Sequence, residues 1–190
     1  MAGILDGAAS GAIDFVYLLG ADEFDVSALG KAFVVYQGTH GDAGAHRADV
    51  VLPGAAYTEK EGLYVNFEGR VQRSERAAFP VGDAKEDWAI LRALSEVLGK
   101  RLPYDDRGTL RNAIIADAPQ FADVGVLPPQ PGADLTIWDA IGTAGSIDTA
   151  SPLVSPITDF YLTNPIARAS ATMAECSRIF VRGETQIAAE

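Results

Sequence analysis

The chain has 190 residues, 48% apolar and 22% charged, which suits one folded domain or a folded core carrying an extended tail. Twenty-six acidic against fifteen basic residues give a formal net charge of −11, which argues against nucleic-acid binding, because neutralising phosphates needs clustered lysine and arginine. The acidic excess reads as a solubility feature. A single cysteine, Cys176, excludes an internal disulfide and a cluster of iron and sulfur held by this chain alone, since such a cluster normally takes four thiolates.

No apolar run approaches the roughly 20 residues needed to cross a bilayer. The opening Met1-Ala2-Gly3-Ile4-Leu5-Asp6 lacks the basic flank and apolar centre of a secretion signal. A soluble chain is the expectation.

In chain order, Phe15–Leu19, Phe33–Tyr36 and Val50–Leu52 are short continuous apolar runs closed by Gly20-Ala21-Asp22, Gln37-Gly38 and Pro53-Gly54. Runs without alternation predict strands covered on both faces, as in a parallel sheet. Glu23–Leu29 leaves room for two helical turns, and a polar loop with Gly41 and Gly44 separates the second and third runs. The order is β–α–β–loop–β, part of an open, mostly parallel α/β sheet with flanking helices. Ligands of such sheets sit beyond the strands' carboxyl ends, where this chain carries Gly20, Asp22, Gln37 and Gly38.

Leu63, Val65 and Phe67 alternate with Tyr64 and Asn66, predicting a half-buried strand that can turn at Glu68-Gly69 into a β-hairpin through Arg70–Arg73. Asp83 and Glu86 form a capping-box pattern before a helix with Trp88, Leu91, Leu94 and Leu98 on its apolar stripe and Gly99 as its stop. A second helix spans Thr109–Ala118 and ends at Pro119. Proline, glycine and serine then dominate from Phe121 to Ile157, predicting an extended arm. Thr163-Asn164-Pro165 starts a final helix over Ile166–Phe180, whose stripe holds Ile166, Ala169, Met173, Cys176 and Phe180. Residues 1–120 are thus expected to form a partial α/β domain, 121–162 a proline-rich arm, and 163–190 a terminal helix and tail.

The chemistry-bearing residues each have an ordinary reading. His40 and His46, with Asp42 and Asp49, are competent metal ligands, but their spacing matches no compact motif, and Arg47 can pair with either carboxylate. Glu59, Glu61 and Glu68 invite a general acid–base reading, yet Lys60, Arg70 and Arg73 stand among them as ion-pair partners. Ser10 and Ser74 lack a neighbouring histidine or a nucleophile-elbow pattern. Neither a GxGxxG fingerprint nor a phosphate-cradling loop occurs. Cys176, on an apolar stripe, reads as a buried inert thiol. No residue is assigned a catalytic, cofactor-binding or metal-binding role.

Two stretches carry a resemblance. Ala48-Asp49-Val50-Val51-Leu52-Pro53, followed by Glu59 or Glu61, Gly62 and then Asn66, Glu68, Gly69, Arg70 and Gln72, resembles the segment that closes the large α/β domain of pterin-dependent (molybdopterin) oxidoreductases. Tyr36-Gln37-Gly38-Thr39-His40-Gly41-Asp42, Pro53-Gly54-Ala55-Ala56-Tyr57-Thr58-Glu59-Lys60, Glu86-Asp87-Trp88, Leu102-Pro103-Tyr104-Asp105 and Asp159-Phe160-Tyr161 are similar to the branch formed by the large iron–sulfur subunit of respiratory complex I, the NADH-quinone oxidoreductase. The likeness runs from Phe15 to Phe180, thins across the arm, and points to a bacterial relative of mitochondria or a mitochondrion.

The resemblance implies a structural and assembly portion of that subunit without catalysis of its own. It implies iron–sulfur clusters in an N-terminal region outside this chain, and other peripheral-arm subunits as partners. The chain would be peripheral, on the cytoplasmic side of a bacterial inner membrane or the matrix side of a mitochondrial one. It also implies a truncated polypeptide, a split-gene product or a fragment, with a sheet edge left open. Two alternatives stand beside it: a fragment of a molybdenum enzyme such as a formate dehydrogenase, where Asn66, Glu68 and Arg70 would approach a pterin nucleotide, and a free-standing small-molecule-binding domain using the strand ends.

Overall fold

The computed structural model describes residues 2–128, 142, 145, 146 and 148–184. The centre of the expected arm, 129–141, and the tail 185–190 lie outside the described residues. The fold is mixed α/β: a parallel three-stranded sheet, a small antiparallel sheet, and helices around them.

Strands β1 (Phe15–Leu19), β2 (Phe33–Gly38) and β3 (Val50–Pro53) lie in the order β1-β2-β3, all parallel. Register places Val16 beside Val34 and Leu18 beside Tyr36. Those four side chains face one way and, with Ala8, Leu29 and Ala32, make the core. Ala8 belongs to a helix that the sequence pattern does not announce, α1 (Ala2–Ser10), which lies over this face. Its weak apolar periodicity and two glycines hide it.

Coverage of both faces does not hold. On the opposite face Val35 and Gln37 are buried, but Phe15 and Phe33 stack in the open, ring centroids 6.2 Å apart, and Leu19 and Val50 are exposed. Cover on this face is confined to the middle and carboxyl end of β2, so continuous apolar runs here mark parallel pairing rather than full burial.

Short connections deviate in the same sense. Glu23–Leu29 makes one 3₁₀ turn, Val26–Leu29, capped by Asp25, because Gly30 takes a left-handed φ of 55° directly after it. The expected polar loop contains a short helix, α2 (Ala43–Arg47), whose N-cap Asp42 accepts from the Ala43 N–H at 2.9 Å.

The hairpin forms between β4 (Gly62–Val65) and β5 (Val71–Ser74), one residue out of step with the expected second strand. Helix α3 (Asp87–Val97) follows, but the Asp83–Glu86 capping box does not form. Glu86 is the N-cap with no side-chain cap bond, since its carboxylate is taken by Trp88 Nε1 at 2.7 Å and by Arg107. Leu98, the last stripe position, is exposed. The capping box belongs instead to α4 (Arg107–Asp117), where Asp106 and Thr109 bond reciprocally.

The single terminal helix is replaced by α5 (Pro165–Ala169), α6 (Ala171–Cys176) and a π turn, Ser177–Val181. Ser170 breaks it: its backbone is extended (φ −83°, ψ 120°), and its hydroxyl caps α6 at the Met173 N–H. Cys176 is half-buried and Phe180 exposed, so the thiol is less enclosed than the stripe implied.

Candidate functional site: the strand-end crevice

Beyond the carboxyl ends of β1 and β2, where open α/β sheets bind ligands, a cavity of about 290 Å³ is lined by Leu19, Gln37, Gly38, Lys60, Asp87 and Pro165 among others. Strand pairing places Gln37, fully buried, at its floor. Tyr17 donates its hydroxyl to Gln37 Oε1, and Gln37 Nε2 donates to Asp87 Oδ1 at 2.8 Å. Lys60 closes the chain on Asp87 Oδ2. Burial first, and the Asp87 charge second, raise the Tyr17 phenol above its ordinary value, so it stays a neutral donor. These four side chains satisfy one another.

A second group lies beside it. Asp22, whose side chain is fully buried, accepts the Gly44 N–H at 3.0 Å. Arg168 of α5 reaches back to it at 3.5 Å, to Glu23 at 3.6 Å and to Asp42. Burial of Asp42 works against ionisation, but hydrogen bonds from Arg168 and the Ala43 N–H, with the Arg168 charge, outweigh it and hold the carboxyl below its ordinary value. The Tyr36 phenol is raised by burial and then by Asp22, Asp42 and Glu23. Its ring fills the space over Gly38 and Gly44; a methyl group on Gly44 would lie 2.6 Å from Tyr36 Cδ2. Gly38 and Gly44 therefore make room for a tyrosine.

The histidines and aspartates are not gathered into one centre. His40 bonds Thr39 at 2.9 Å, Asp49 accepts the Val34 N–H at 2.7 Å, and Arg47 spans to the Gly30 and Ala32 carbonyls. Among the described residues no group of three or more His, Cys, Asp or Glu could hold a metal ion.

The glutamates disperse likewise. Glu59 accepts the Ala56 N–H at 3.0 Å. Glu61 is the hub of an arginine cluster: Arg73 at 3.2 Å, Arg107 at 3.6 Å and Arg111. Glu61, Arg107 and Arg111, together with Glu86, Trp88 and Phe121, border a cavity of about 380 Å³ between the hairpin and α4. Glu68 belongs to the hairpin turn, where Asn66 Oδ1 accepts the Glu68 and Arg70 N–H groups at 3.1 and 3.0 Å. Gly69 there has φ 82°, a conformation glycine adopts without strain. The Asn66-to-Arg70 motif is thus an Asx-stabilised turn with Phe67 fully exposed at its tip. Arg70 and Glu68 pair at 3.6 Å across exposed surface. Sequence reasoning misses the Tyr17–Gln37–Asp87–Lys60 chain and Arg168, whose partner Asp42 lies 126 residues away; no local pattern could join them.

The family model described as molybdopterin oxidoreductase matches residues 2–97, just over half of the chain, and a second, for the C-terminal part of an NADH-ubiquinone oxidoreductase subunit, matches 139–176. The chain is 50% identical over 165 residues to the 78 kDa subunit of mitochondrial NADH-ubiquinone oxidoreductase of Neurospora crassa, covering 86% of this chain and 22% of that protein. It is 46% identical to the NADH-ubiquinone oxidoreductase 75 kDa subunit of Reclinomonas americana (87% and 23%) and 40% identical to an NADH-quinone oxidoreductase subunit of Rickettsia bellii (86% and 23%). The chain spans less than a quarter of the length of these relatives. Among solved structures, acetylene hydratase from Pelobacter acetylenicus shares the fold over 58% of this chain and 18% of that one, with a TM-score of 0.51 at 23% identity. The chain belongs to the molybdopterin oxidoreductase family, in the branch that holds the large subunit of NADH-ubiquinone oxidoreductase.

Proposed function

We propose that this chain is a non-catalytic structural and assembly portion of the large iron–sulfur subunit of a complex I-type NADH:quinone oxidoreductase. On this reading residues 1–120 supply the α/β body, 121–162 an arm, and 163–190 a returning terminal segment. The iron–sulfur clusters belong to other parts of the parent subunit, because one half-buried thiol cannot ligate them. Other peripheral-arm subunits are the partners. The chain sits peripherally on the cytoplasmic or matrix side; among the described residues no helix is long and apolar enough to cross a membrane.

One observation carries the reading: the polar groups at the strand ends are consumed by one another. Gln37 spends both ends of its amide on Tyr17 and Asp87, and Asp87 is neutralised by Lys60. The family's pterin nucleotide therefore finds a poor fit here. Of the residues the motif would offer it, Asn66 and Glu68 are tied into the hairpin turn by their side chains, and Arg70 joins that turn through its backbone N–H. A fragment of a catalytic molybdenum enzyme is the second reading, favoured by the family match over residues 2–97.

The test combines two measurements. Elemental analysis and pterin fluorescence of the purified chain are expected to show neither metal nor pterin in stoichiometric amount. Grafted in place of the aligned segment of the Neurospora 78 kDa subunit, the chain is expected to support an assembled enzyme that reduces quinone with NADH. Stoichiometric pterin, or an assembled graft that no longer transfers electrons, would overturn the structural reading.

A further inference from the structure

The terminal segment is held to the sheet in an unusual way. Helices α5 and α6 are each capped from within, by Asn164 on the Ala167 N–H at 2.9 Å and by Ser170 on the Met173 N–H at 3.3 Å. Each first turn is thus closed by the segment's own residues, but helices of five and six residues hold their backbone hydrogen bonds only while docked. Between them and the sheet edge lies an open cavity of about 560 Å³, with Thr39 and Tyr57 on the sheet side and Pro165, Ile166 and Met173 on the helix side. This cavity shares Thr39 and Pro165 with the strand-end crevice. The junction is loosely packed, and Ile166 and Tyr57 remain exposed in it. Among the described residues, the ion pairs that cross it all come from one guanidinium: Arg168 Nη2 stands 3.5 Å from Asp22 and 3.6 Å from Glu23, and Nε bonds Asp42. One cation faces three carboxylates, so loss of Arg168 removes every ion pair across the junction among the described residues.

We propose that α5 and α6 are a detachable strap, latched over the strand-end crevice by Arg168 and poised to open the crevice when that contact is lost. Opening bares the floor around the buried Gln37 and half-buried Gly38 while the core of β1, β2 and α1, which draws no side chain from the strap, stays intact.

Hydrogen exchange on the full chain reads this directly. In Arg168→Ala, amides of residues 166–176 are expected to exchange about tenfold faster or more, while those of β2 keep their protection. Millimolar guanidinium should restore protection by refilling the carboxylate niche. Arg101→Ala, which removes an exposed guanidinium paired with Asp105 after α3, should leave the strap's exchange unchanged. Unaltered exchange in Arg168→Ala overturns the strap, as does a loss shared equally by β2, which would make the contact part of the core. Failure of guanidinium to restore protection also overturns it, because the niche would then not be what holds the strap. Equal opening in Arg101→Ala overturns it too, since loss of any surface cation would then suffice.

Discussion

Gly44→Ala tests the packing of the strand-end loop most sharply. Gly44 lies in α2 with an ordinary helical backbone, so alanine meets no conformational strain and gains about 1 kcal/mol in helix propensity. Against that gain stand the contacts a methyl group would make: 2.6 Å to Tyr36 Cδ2, 2.7 Å to Tyr36 Cε2 and 2.9 Å to Asp22 Cβ. The Tyr36 ring is 2% exposed and flanked by Gly38 on its other side, so it cannot swing away. Overpacking of this kind costs about 1–3 kcal/mol. Any displacement of α2 also lengthens the Gly44 N–H bond to the buried Asp22 carboxylate, a charge-assisted bond of about 1.5–3 kcal/mol. The balance is a net destabilisation of about 2 kcal/mol, or a fall in Tm of about 4–8 °C for a chain of this size. Gly41→Ala is the control: its added methyl meets nothing within 4 Å and its φ is ordinary, so melting should not move. Thermal melting followed by circular dichroism decides, with Tyr36→Leu in the Gly44→Ala background expected to recover part of the loss. If Gly44→Ala melts with Gly41→Ala, Gly44 is not there for the tyrosine.

Two further outcomes follow from the charges. The Asp42 carboxyl is depressed below 3.8 in the folded chain, so its pairing with Arg168 stabilises the fold fully above that pH and is lost as pH falls through the lower folded value. The melting difference between the natural chain and Arg168→Ala should be constant from neutral pH down to about pH 5 and shrink below 3.8; a difference that grows on acidification contradicts the assignment. Glu61→Ala should cost about 2 kcal/mol in urea unfolding, because it removes the largely buried carboxylate that three guanidiniums share, although Arg73 and Arg107 keep Glu75 and Glu86, whereas Arg111→Ala, on the more exposed side of the pair, should cost about 0.5–1 kcal/mol. Equal losses would show that Glu61 is not the hub.

Local sequence is a sound guide wherever the deciding interaction is itself local. The strands at Phe15, Phe33 and Val50, the hairpin turn at Glu68-Gly69, and the start of α5 at Asn164-Pro165 are each legible, because apolar runs, turn glycines and N-caps act within a few residues. The capping box before α3 misleads because the pattern is local but one of its competitors is not: Arg107, with Trp88, claims Glu86 first. A single terminal helix across Ser170 is the natural expectation, because helical periodicity does not register a serine that caps instead of continuing.

What the sequence determined alone is the parallel order of elements, the turn chemistry, and the limit set by a single thiol on any iron–sulfur role. Tertiary structure decided the rest: that β2 is largely buried while β1 is half open and β3 mostly exposed, that Gln37 and Lys60 meet through Asp87, and that Arg168 closes on Asp22 and Asp42. The physical reason is range. A cap or a turn is settled by neighbours along the chain, but burial and ion pairing depend on which distant surfaces come together, and a composition of mixed charges leaves many such pairings open until the fold selects one.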